Sequence, residues 1–473
     1  MKYELINHNF ENEVQTVTQL FQANDDYIAK TEITENTAKA WIVKNGITIA
    51  EHALPLNALP FYLSPRRVLM LALYHALQQA IGAYTPWGAL TGIRPSKMVR
   101  EWLATGWDEA KVIATMQDPF CCTEEKAKLA LTIAYAENYL TKKIFASNRN
   151  PGRMGEQSAV RRTTSPVGIY VSIPFCPTRC VYCSFNVDHK PTIKNIHEKY
   201  VDALIAELGQ KATQLKQMNG TVSSIYIGGG TPTVLPEYLL EKLLNAVAEN
   251  FETSVEYSVE AGRPDTLTKE KLAILHRYGV NRIAVNPQTL NDKTLALIGR
   301  KHTADDFFRA FSLAREAGFN CINSDIIVGL PGETVDDVRR TMEGLTKLSP
   351  ENITVHTLAV KRASHINANK DLFVLPNAQT TEQMLNIASD TCHTAGLNPY
   401  YLYRQKNMVG MFENVGYSKL DYECLYNVGM MAETQTVLGI GAGAVSKFVE
   451  GDKISREFNV KNPEIYTERS NLT

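Results

Sequence analysis

The chain has 473 residues, enough for two or three domains and for a large buried core. Its 49 basic and 50 acidic residues give a net charge of −1, so the composition predicts no nucleic-acid partner and no attraction to an anionic membrane surface. No apolar run approaches the length of a membrane span, and the polar start MKYELINHNFENE is unlike a signal peptide. We therefore expect a cytoplasmic protein whose thiols are reduced.

The first 145 residues predict a small α+β accessory domain. Residues 40–54 indicate a β-hairpin with Asn45 and Gly46 in its turn. Helical patterns follow at residues 66–83, 95–104, 108–117 and 124–141. Residues 146–166 have almost no apolar side chains and end in proline, so we expect an exposed linker there.

A regular alternation of strands and helices begins after the linker. Apolar, β-rich runs lie at residues 168–175, 223–230, 256–262, 282–289, 321–331 and 352–360. Helical patterns separate them at residues 195–218, 236–250, 267–278, 291–298, 303–317 and 334–347. Such a series predicts parallel strands with right-handed crossovers, in an open doubly wound sheet or a partial barrel. We assign this domain to residues 167–365 and expect residues 366–473 to form a region that covers the substrate.

Residues capable of chemistry cluster where the predicted strands end. Cysteines follow the first strand and glycines follow the second, while Glu260 and Gln288 end the third and fourth. Asp325 lies in the fifth strand, where a charge is costly unless it is paired, so a functional role is favoured. Because ligands bind at the carboxyl ends of parallel strands, we expect these residues to share one site.

The segment YVSIPFCPTRCVYCSFN, residues 170–186, contains Cys176, Cys180 and Cys183. Three thiolates with the spacing C-x3-C-x2-C can bind a soft metal centre. A structural zinc ion needs four protein ligands, and no further Cys or His completes the set here. A [4Fe–4S] cluster bound by three thiolates keeps one iron open for another ligand. Zinc and unligated buried cysteines are the alternatives.

With an aromatic residue, Tyr182, before its third cysteine, this motif resembles the signature of radical S-adenosylmethionine enzymes. The resemblance implies a partial (β/α)6 barrel, here with an N-terminal α+β domain and a C-terminal extension. It also implies that Cys176, Cys180 and Cys183 bind a [4Fe–4S] cluster whose open iron binds S-adenosylmethionine. The reduced cluster then cleaves this cofactor to a 5′-deoxyadenosyl radical.

The order of segments from about residue 166 to residue 450 resembles the oxygen-independent coproporphyrinogen III dehydrogenase (oxidase)-like family. This resemblance implies a set of cofactor-binding residues, which are Tyr170, Tyr182, Gly229, Gly230, Thr231, Glu260, Gln288, Arg300, Asp325 and Val445. Tyr170 and Glu260 are the residues that we expect to serve catalysis. Without the resemblance, the glycines could be an ordinary strand-to-helix turn, and Glu260 could pair with Arg263.

The reaction that the resemblance implies is the oxidative decarboxylation of coproporphyrinogen III propionates to vinyl groups, which yields protoporphyrinogen IX in haem biosynthesis. The implied partners are the tetrapyrrole substrate and a low-potential electron donor such as flavodoxin or ferredoxin. One alternative is a haem-binding carrier or chaperone that retains the cluster. Another is a methyltransferase-like radical enzyme that acts on a different substrate.

Three features of the sequence depart from the pattern of the dehydrogenases. Ser184 stands where they have a further cysteine, and Ser172 stands where they have histidine. Val428 and Gly429 replace the Phe-Gln pair that follows the asparagine matched by Asn427. These departures leave the radical-generating motif intact. They lie in or near the reaction centre and therefore bear on the decarboxylation step.

Overall fold

The computed structural model describes residues 1–21, 23–57, 63–92, 94–147, 165–185, 187–189, 195–451 and 453–470. The chain forms two units. One consists of Met1–Ala134 with Gly410–Phe412, and the other of Tyr135–Val409 with Glu413–Thr473. Most of the predicted linker lies outside the described residues, and the domain boundaries given above stay predictions.

The first unit combines helices with one four-stranded sheet. Its elements are β1 (Lys2–Ile6), α1 (Glu11–Thr18), β2 (Tyr27–Ile33), β3 (Thr37–Lys44), β4 (Ile47–Pro55), α2 (Pro65–Ile81), α3 (Pro95–Ala104), α4 (Glu109–Gln117) and the start of α5 (Glu124–Ser147). The strands are in the order β1-β2-β3-β4. The predicted hairpin is β3–β4, and Asn45 and Gly46 take φ values of 53° and 79°, the left-handed turn conformation that an Asn-Gly pair favours.

The second unit contains the six predicted strands and the helices between them. In chain order they are β5 (Ser165–Ile173), α6 (Ile196–Gln217), β6 (Gly220–Gly229), α7 (Glu237–Asn250), β7 (Glu256–Val259), α8 (Lys269–Arg277), β8 (Arg282–Ala284), α9 (Asp292–Leu297), α10 (Ala304–Glu316), β9 (Ile322–Val328), α11 (Val335–Lys347) and β10 (Asn352–Thr357). The remaining elements are α12 (His365–Ala368), α13 (Ala378–Thr394), β11 (Asn398–Tyr403), β12 (Asn414–Ser418), α14 (Leu425–Ala432), β13 (Thr436–Ile440), β14 (Val445–Glu450), β15 (Lys453–Phe458) and α15 (Pro463–Ser470).

One sheet runs through the second unit in the order β11-β12-β10-β9-β8-β7-β6-β5-β13-β14-β15. Strands β5 to β10 are parallel and adjacent in chain order, as predicted. Among the described strands, β5 pairs with β13 and β10 pairs with β12, so the barrel does not close. The predicted partial (β/α)6 barrel is therefore confirmed, and β13 is a seventh parallel strand that the sequence analysis missed.

The parallel strands are buried because helices pack against them. Eight of the nine residues of β5 are buried or half-buried, which suits a strand covered on both faces. Helix α6 buries Tyr200, Leu204 and Leu208 at every fourth position and leaves polar residues outside. No helix in the described part of the chain is long and apolar enough to cross a membrane.

We expect Gly416→Ala to destabilise the protein, because a Cβ at this buried position of β12 would overlap the ring of Tyr401 in β11. Overpacking of this kind costs roughly 1–3 kcal/mol. The matched control is Gly209→Ala in α6, where the nearest atom to an added Cβ is 3.9 Å away. Alanine is favoured over glycine in a helix by up to about 1 kcal/mol, so the control should keep or raise stability. Urea unfolding measures both, and a wild-type midpoint for Gly416→Ala would contradict the packing.

Candidate functional site

A cavity of about 580 Å³ lies at the carboxyl ends of the parallel strands. It brings together most of the residues predicted from the sequence, namely Cys176, Cys180, Tyr182, Cys183, Gly229, Gly230, Thr231, Glu260, Gln288, Arg300 and Asp325. Tyr170 and Val445 are not among the described residues that line it.

Backbone hydrogen bonds fix the cysteine loop that follows β5. The Cys176 amide donates to the Asp188 carbonyl at 3.1 Å, and the Val181 amide donates to the Ile298 carbonyl at 3.1 Å. All three cysteines are half-buried and line the cavity. The loop is therefore held at both of these points while its sulfur atoms remain accessible from the cavity.

A buried arginine stabilises the same loop. The Arg263 guanidinium pairs with both carboxylate oxygens of Asp265 at 3.0 Å. Its Nη1 also donates to Thr178 Oγ1 at 3.0 Å and lies 4.0 Å from Cys180 Sγ. Pairing of Arg263 with Glu260, the alternative raised by the sequence, is therefore wrong. Arg263 instead places a positive charge beside the middle cysteine.

The three thiols can be compared with what a zinc ion and an iron–sulfur cluster each require of their ligands. Burial raises the pKa of Cys176 to about 11 and also raises the pKa of Cys183. In the part of the chain that the structure describes, no three His, Cys, Asp or Glu side chains are grouped to hold one metal ion. A zinc site needs such convergence on one point. The thiolates of an iron–sulfur cluster bind separate irons, so they need not converge on one point.

The glycines after β6 allow two backbone segments to approach closely. Gly229 has a φ of 108°, a conformation that a side chain would strain. The Gly230 amide donates to the Ile173 carbonyl at 2.7 Å, and a Cβ on Gly230 would lie 2.5 Å from the Phe175 carbonyl oxygen. Next to them, Thr231 Oγ1 lies 3.4 Å from Cys176 Sγ. The glycine segment thus lies directly beside the cysteine loop.

Glu260 lies just after β7, and its carboxylate is held by a tyrosine. Tyr226 Oη donates to Glu260 Oε1 at 2.6 Å. Burial raises the pKa of Glu260 to about 7, the nearby charge of Asp325 adds to the rise, and the Tyr226 hydroxyl opposes it. Glu260 can therefore change its protonation state near neutral pH. The sequence analysis did not identify Tyr226, because a tyrosine in an apolar strand indicates core packing.

Asp325 has more polar partners than Glu260. Asn323 and Asn286 donate to its two carboxylate oxygens at 2.7 and 2.8 Å, and His356 Nε2 lies 3.7 Å away. Burial raises the pKa of Asp325, but the hydrogen bond and charge of His356, together with Asn323, outweigh it and the pKa is lowered. Asn286 and His356 were missed, although His356 is a polar residue in an apolar strand, the same signal that identified Asp325.

Two buried polar atoms in the cavity wall have no protein partner. These atoms are Gln288 Oε1 and Arg300 Nε, among the described residues. Arg300 Nη1 donates to the carbonyls of Asn286 and Gly262 at 2.9 and 3.2 Å. Arg300 also interacts with Tyr182 and Cys180, but no carboxylate among the described residues pairs with it, so a ligand with a carboxylate would complete this part of the site.

The two predicted residues outside the cavity wall have different surroundings. The Tyr170 ring stacks near Tyr226 and Tyr426, with centroid distances of 6.3 and 6.2 Å. Tyr170 therefore adjoins the tyrosine that holds Glu260. Val445 begins β14 and pairs with Phe458 in β15. Cofactor contact by Tyr170 and Val445 stays a prediction.

Comparisons with known proteins agree with this geometry. Residues 170–345 match the model of the radical SAM superfamily. The chain is 38% identical over 398 residues to the oxygen-independent coproporphyrinogen-III oxidase-like protein HemZ of Bacillus subtilis, covering 83% of this chain and 76% of that one. It is 32% identical to the heme chaperone HemW of the same organism, covering 58% of this chain and 69% of that one. Coproporphyrinogen III oxidase HemN from Escherichia coli, a radical SAM enzyme, superposes with a TM-score of 0.53 at 25% identity, over 66% of this chain and 70% of that one.

The fold and the site define a radical S-adenosylmethionine protein. Within that superfamily, the chain belongs to the oxygen-independent coproporphyrinogen-III oxidase-like family. The cofactors are a [4Fe–4S] cluster and S-adenosylmethionine. The cavity suits the cluster and the cofactor, because it contains accessible thiols and a glycine segment that allows close approach. It also contains buried polar atoms without a hydrogen-bond partner in the described part of the chain.

We expect Cys180→Ala to prevent cluster assembly, because Cys180 is the middle thiol of the cysteine loop. The matched control is Cys392→Ala, which removes a fully buried thiol from α13 that does not line the cavity. Iron content and visible absorbance after anaerobic reconstitution measure the effect. A Cys180→Ala protein with wild-type iron content would exclude this residue as a ligand.

We expect the affinity for S-adenosylmethionine to rise as pH increases through about 7, because ionised Glu260 accepts hydrogen bonds from the cofactor better than the neutral acid does. Tyr226→Phe removes a group that lowers the pKa of Glu260, so it should move this rise to higher pH. Glu260→Gln should flatten it. Equilibrium dialysis with cluster-loaded protein measures the profiles. Identical profiles for wild type and Glu260→Gln would refute the role of Glu260.

Proposed function

We propose that the protein oxidatively decarboxylates propionate side chains of coproporphyrinogen III to vinyl groups, forming protoporphyrinogen IX. The observation that carries this proposal is the extent of the likeness to the coproporphyrinogen-III oxidase-like relative, which covers 83% of the chain. Residues 146–473 make up a smaller share of the chain than this 83%, so the likeness must also include part of the first unit. The likeness to the heme chaperone covers 58%.

When bound, the cluster and S-adenosylmethionine would supply a 5′-deoxyadenosyl radical able to take a hydrogen atom from the β-carbon of a propionate. The substrate would then lose CO₂ and pass one electron to an acceptor, which leaves the vinyl group. Cys176, Cys180 and Cys183 would hold the cluster. Glu260 and Arg300 would orient the cofactor through its polar groups, and the glycine segment would allow it to lie close to the strand ends.

The three departures from the dehydrogenase pattern are compatible with this activity. Ser184 is the one among them that lines the cavity. Ser172 is buried and donates to the Ala442 carbonyl at 2.9 Å. A Cβ on Gly429 would overlap the side chain of Gln435, so packing accounts for the glycine. These buried positions therefore support the fold around the site.

A second candidate function is transport of haem, which the likeness to the heme chaperone favours. In that case the protein would bind haem stoichiometrically and leave coproporphyrinogen III unchanged. In either role we place the protein in the cytoplasm, where thiols remain reduced. As an enzyme it would receive electrons from a low-potential donor such as flavodoxin or ferredoxin.

The test incubates cluster-loaded protein anaerobically with reductant, S-adenosylmethionine and coproporphyrinogen III. We expect the tetrapyrrole to lose two CO₂ units while 5′-deoxyadenosine accumulates in step, as measured by mass spectrometry and chromatography. Cys180→Ala protein is the control and should form neither product. Deoxyadenosine formation with an unchanged tetrapyrrole would reject this substrate, and stoichiometric haem binding would then favour the carrier.

A further inference from the structure

One wall of the cavity contains none of the residues predicted to bind the cofactor. It consists of the end of β10 and the segment after it, with the ends of β11 and β12 beside them. The residues are His356, Leu358, Lys361, Tyr403, Gln405 and Asn414. Since the cysteine loop and the ends of β6 to β9 account for the cofactor, this opposite wall is where a substrate would make contact.

The charges in the cavity do not balance within the protein. Arg263 has a carboxylate partner in Asp265, Asp325 lies 3.7 Å from His356, and Arg300 and Glu260 are assigned above to the cofactor. Arg179 and Lys361 have no carboxylate partner among the described residues. Each side chain donates to a backbone carbonyl, Arg179 Nη2 to that of Ala363 at 3.0 Å and Lys361 Nζ to that of Lys406 at 3.4 Å.

Both cations line the cavity, and the Arg179 contact joins the two segments that carry them, which together we call the rim. Arg179 belongs to the cysteine loop, directly before Cys180, and it reaches the carbonyl two residues beyond Lys361. Lys361 is partly buried, and burial lowers its pKa, as expected for a cation without an anionic partner. An anion at this rim would satisfy both groups.

We propose that Arg179 and Lys361 form a subsite for the propionate carboxylates of the tetrapyrrole that are not reacting. The inference rests on the proposed function and specifies how this protein recognises its substrate. Coproporphyrinogen III has four propionates, so when one lies near the radical the others must be accommodated elsewhere. Two cations on the rim bind such carboxylates by charge-assisted hydrogen bonds.

The experiment measures binding of coproporphyrin III, the fluorescent oxidised form of the substrate, to cluster-loaded protein with S-adenosylmethionine. Lys361→Gln and Arg179→Gln should each weaken binding by roughly ten-fold or more, the range expected for loss of a hydrogen bond between charged groups. Lys361→Arg keeps the charge and should retain most of the affinity. The matched control is Arg362→Gln, an exposed neighbouring cation that does not line the cavity and should bind like wild type.

Haemin, which has only two propionates, provides a second arm. If the two variants weaken binding of coproporphyrin III but not of haemin, the rim binds the propionates that haem lacks. If they weaken binding of both ligands equally, the rim binds the two propionates that the ligands share. Unchanged binding in Lys361→Gln and Arg179→Gln overturns the inference, as does equal weakening in Arg362→Gln. If the variants lose affinity while wild type forms no decarboxylated product, the subsite stands and the proposed enzymatic function fails. If wild type forms product and the variants keep its KM, the subsite fails and the function stands.

Discussion

The site depends on the close approach of two parallel strands, β5 and β6, at their carboxyl ends. Beyond the sheet, the amides of Gly230 and Thr231 continue the pairing by donating to the carbonyls of Ile173 and Phe175 at 2.7 and 2.8 Å. Any side chain at Gly230 would collide with that backbone. These contacts couple the cysteine loop to the glycine segment, so the two segments predicted to bind the cluster and the cofactor are positioned together.

Much of this architecture could be predicted because it is encoded locally. Alternating apolar runs and helical periods identified all six strands of the partial barrel, and the rule that ligands bind at strand ends located the cavity. Strand β13 was missed because it leads directly into a glycine-rich segment and its partner β5 is more than 260 residues earlier in the chain. Tyr226 and His356 were missed because their roles depend on neighbours that only the fold brings near.

The pKa values of two carboxyl groups in the same cavity are shifted in opposite directions. Asp325 receives hydrogen bonds from two amide side chains and faces His356, which keeps it ionised. Glu260 is half-buried with one tyrosine hydroxyl as its side-chain partner, and its pKa is raised to about 7. Pairs of groups whose environments separate their pKa values commonly divide the tasks of a site. Here Asp325 keeps its charge at neutral pH, whereas the charge of Glu260 changes near pH 7.

The pairing of β5 with β13 also constrains the order in which the protein can be completed during synthesis. Strand β5 emerges from the ribosome early, but its second neighbour is formed by Thr436–Ile440. The link is closed by Ser172, whose hydroxyl donates to the carbonyl of Ala442. Until translation has passed that point, the strand that leads into the cysteine loop has one open edge. The sheet that supports the cysteine loop is therefore complete only after nearly the whole chain has been made.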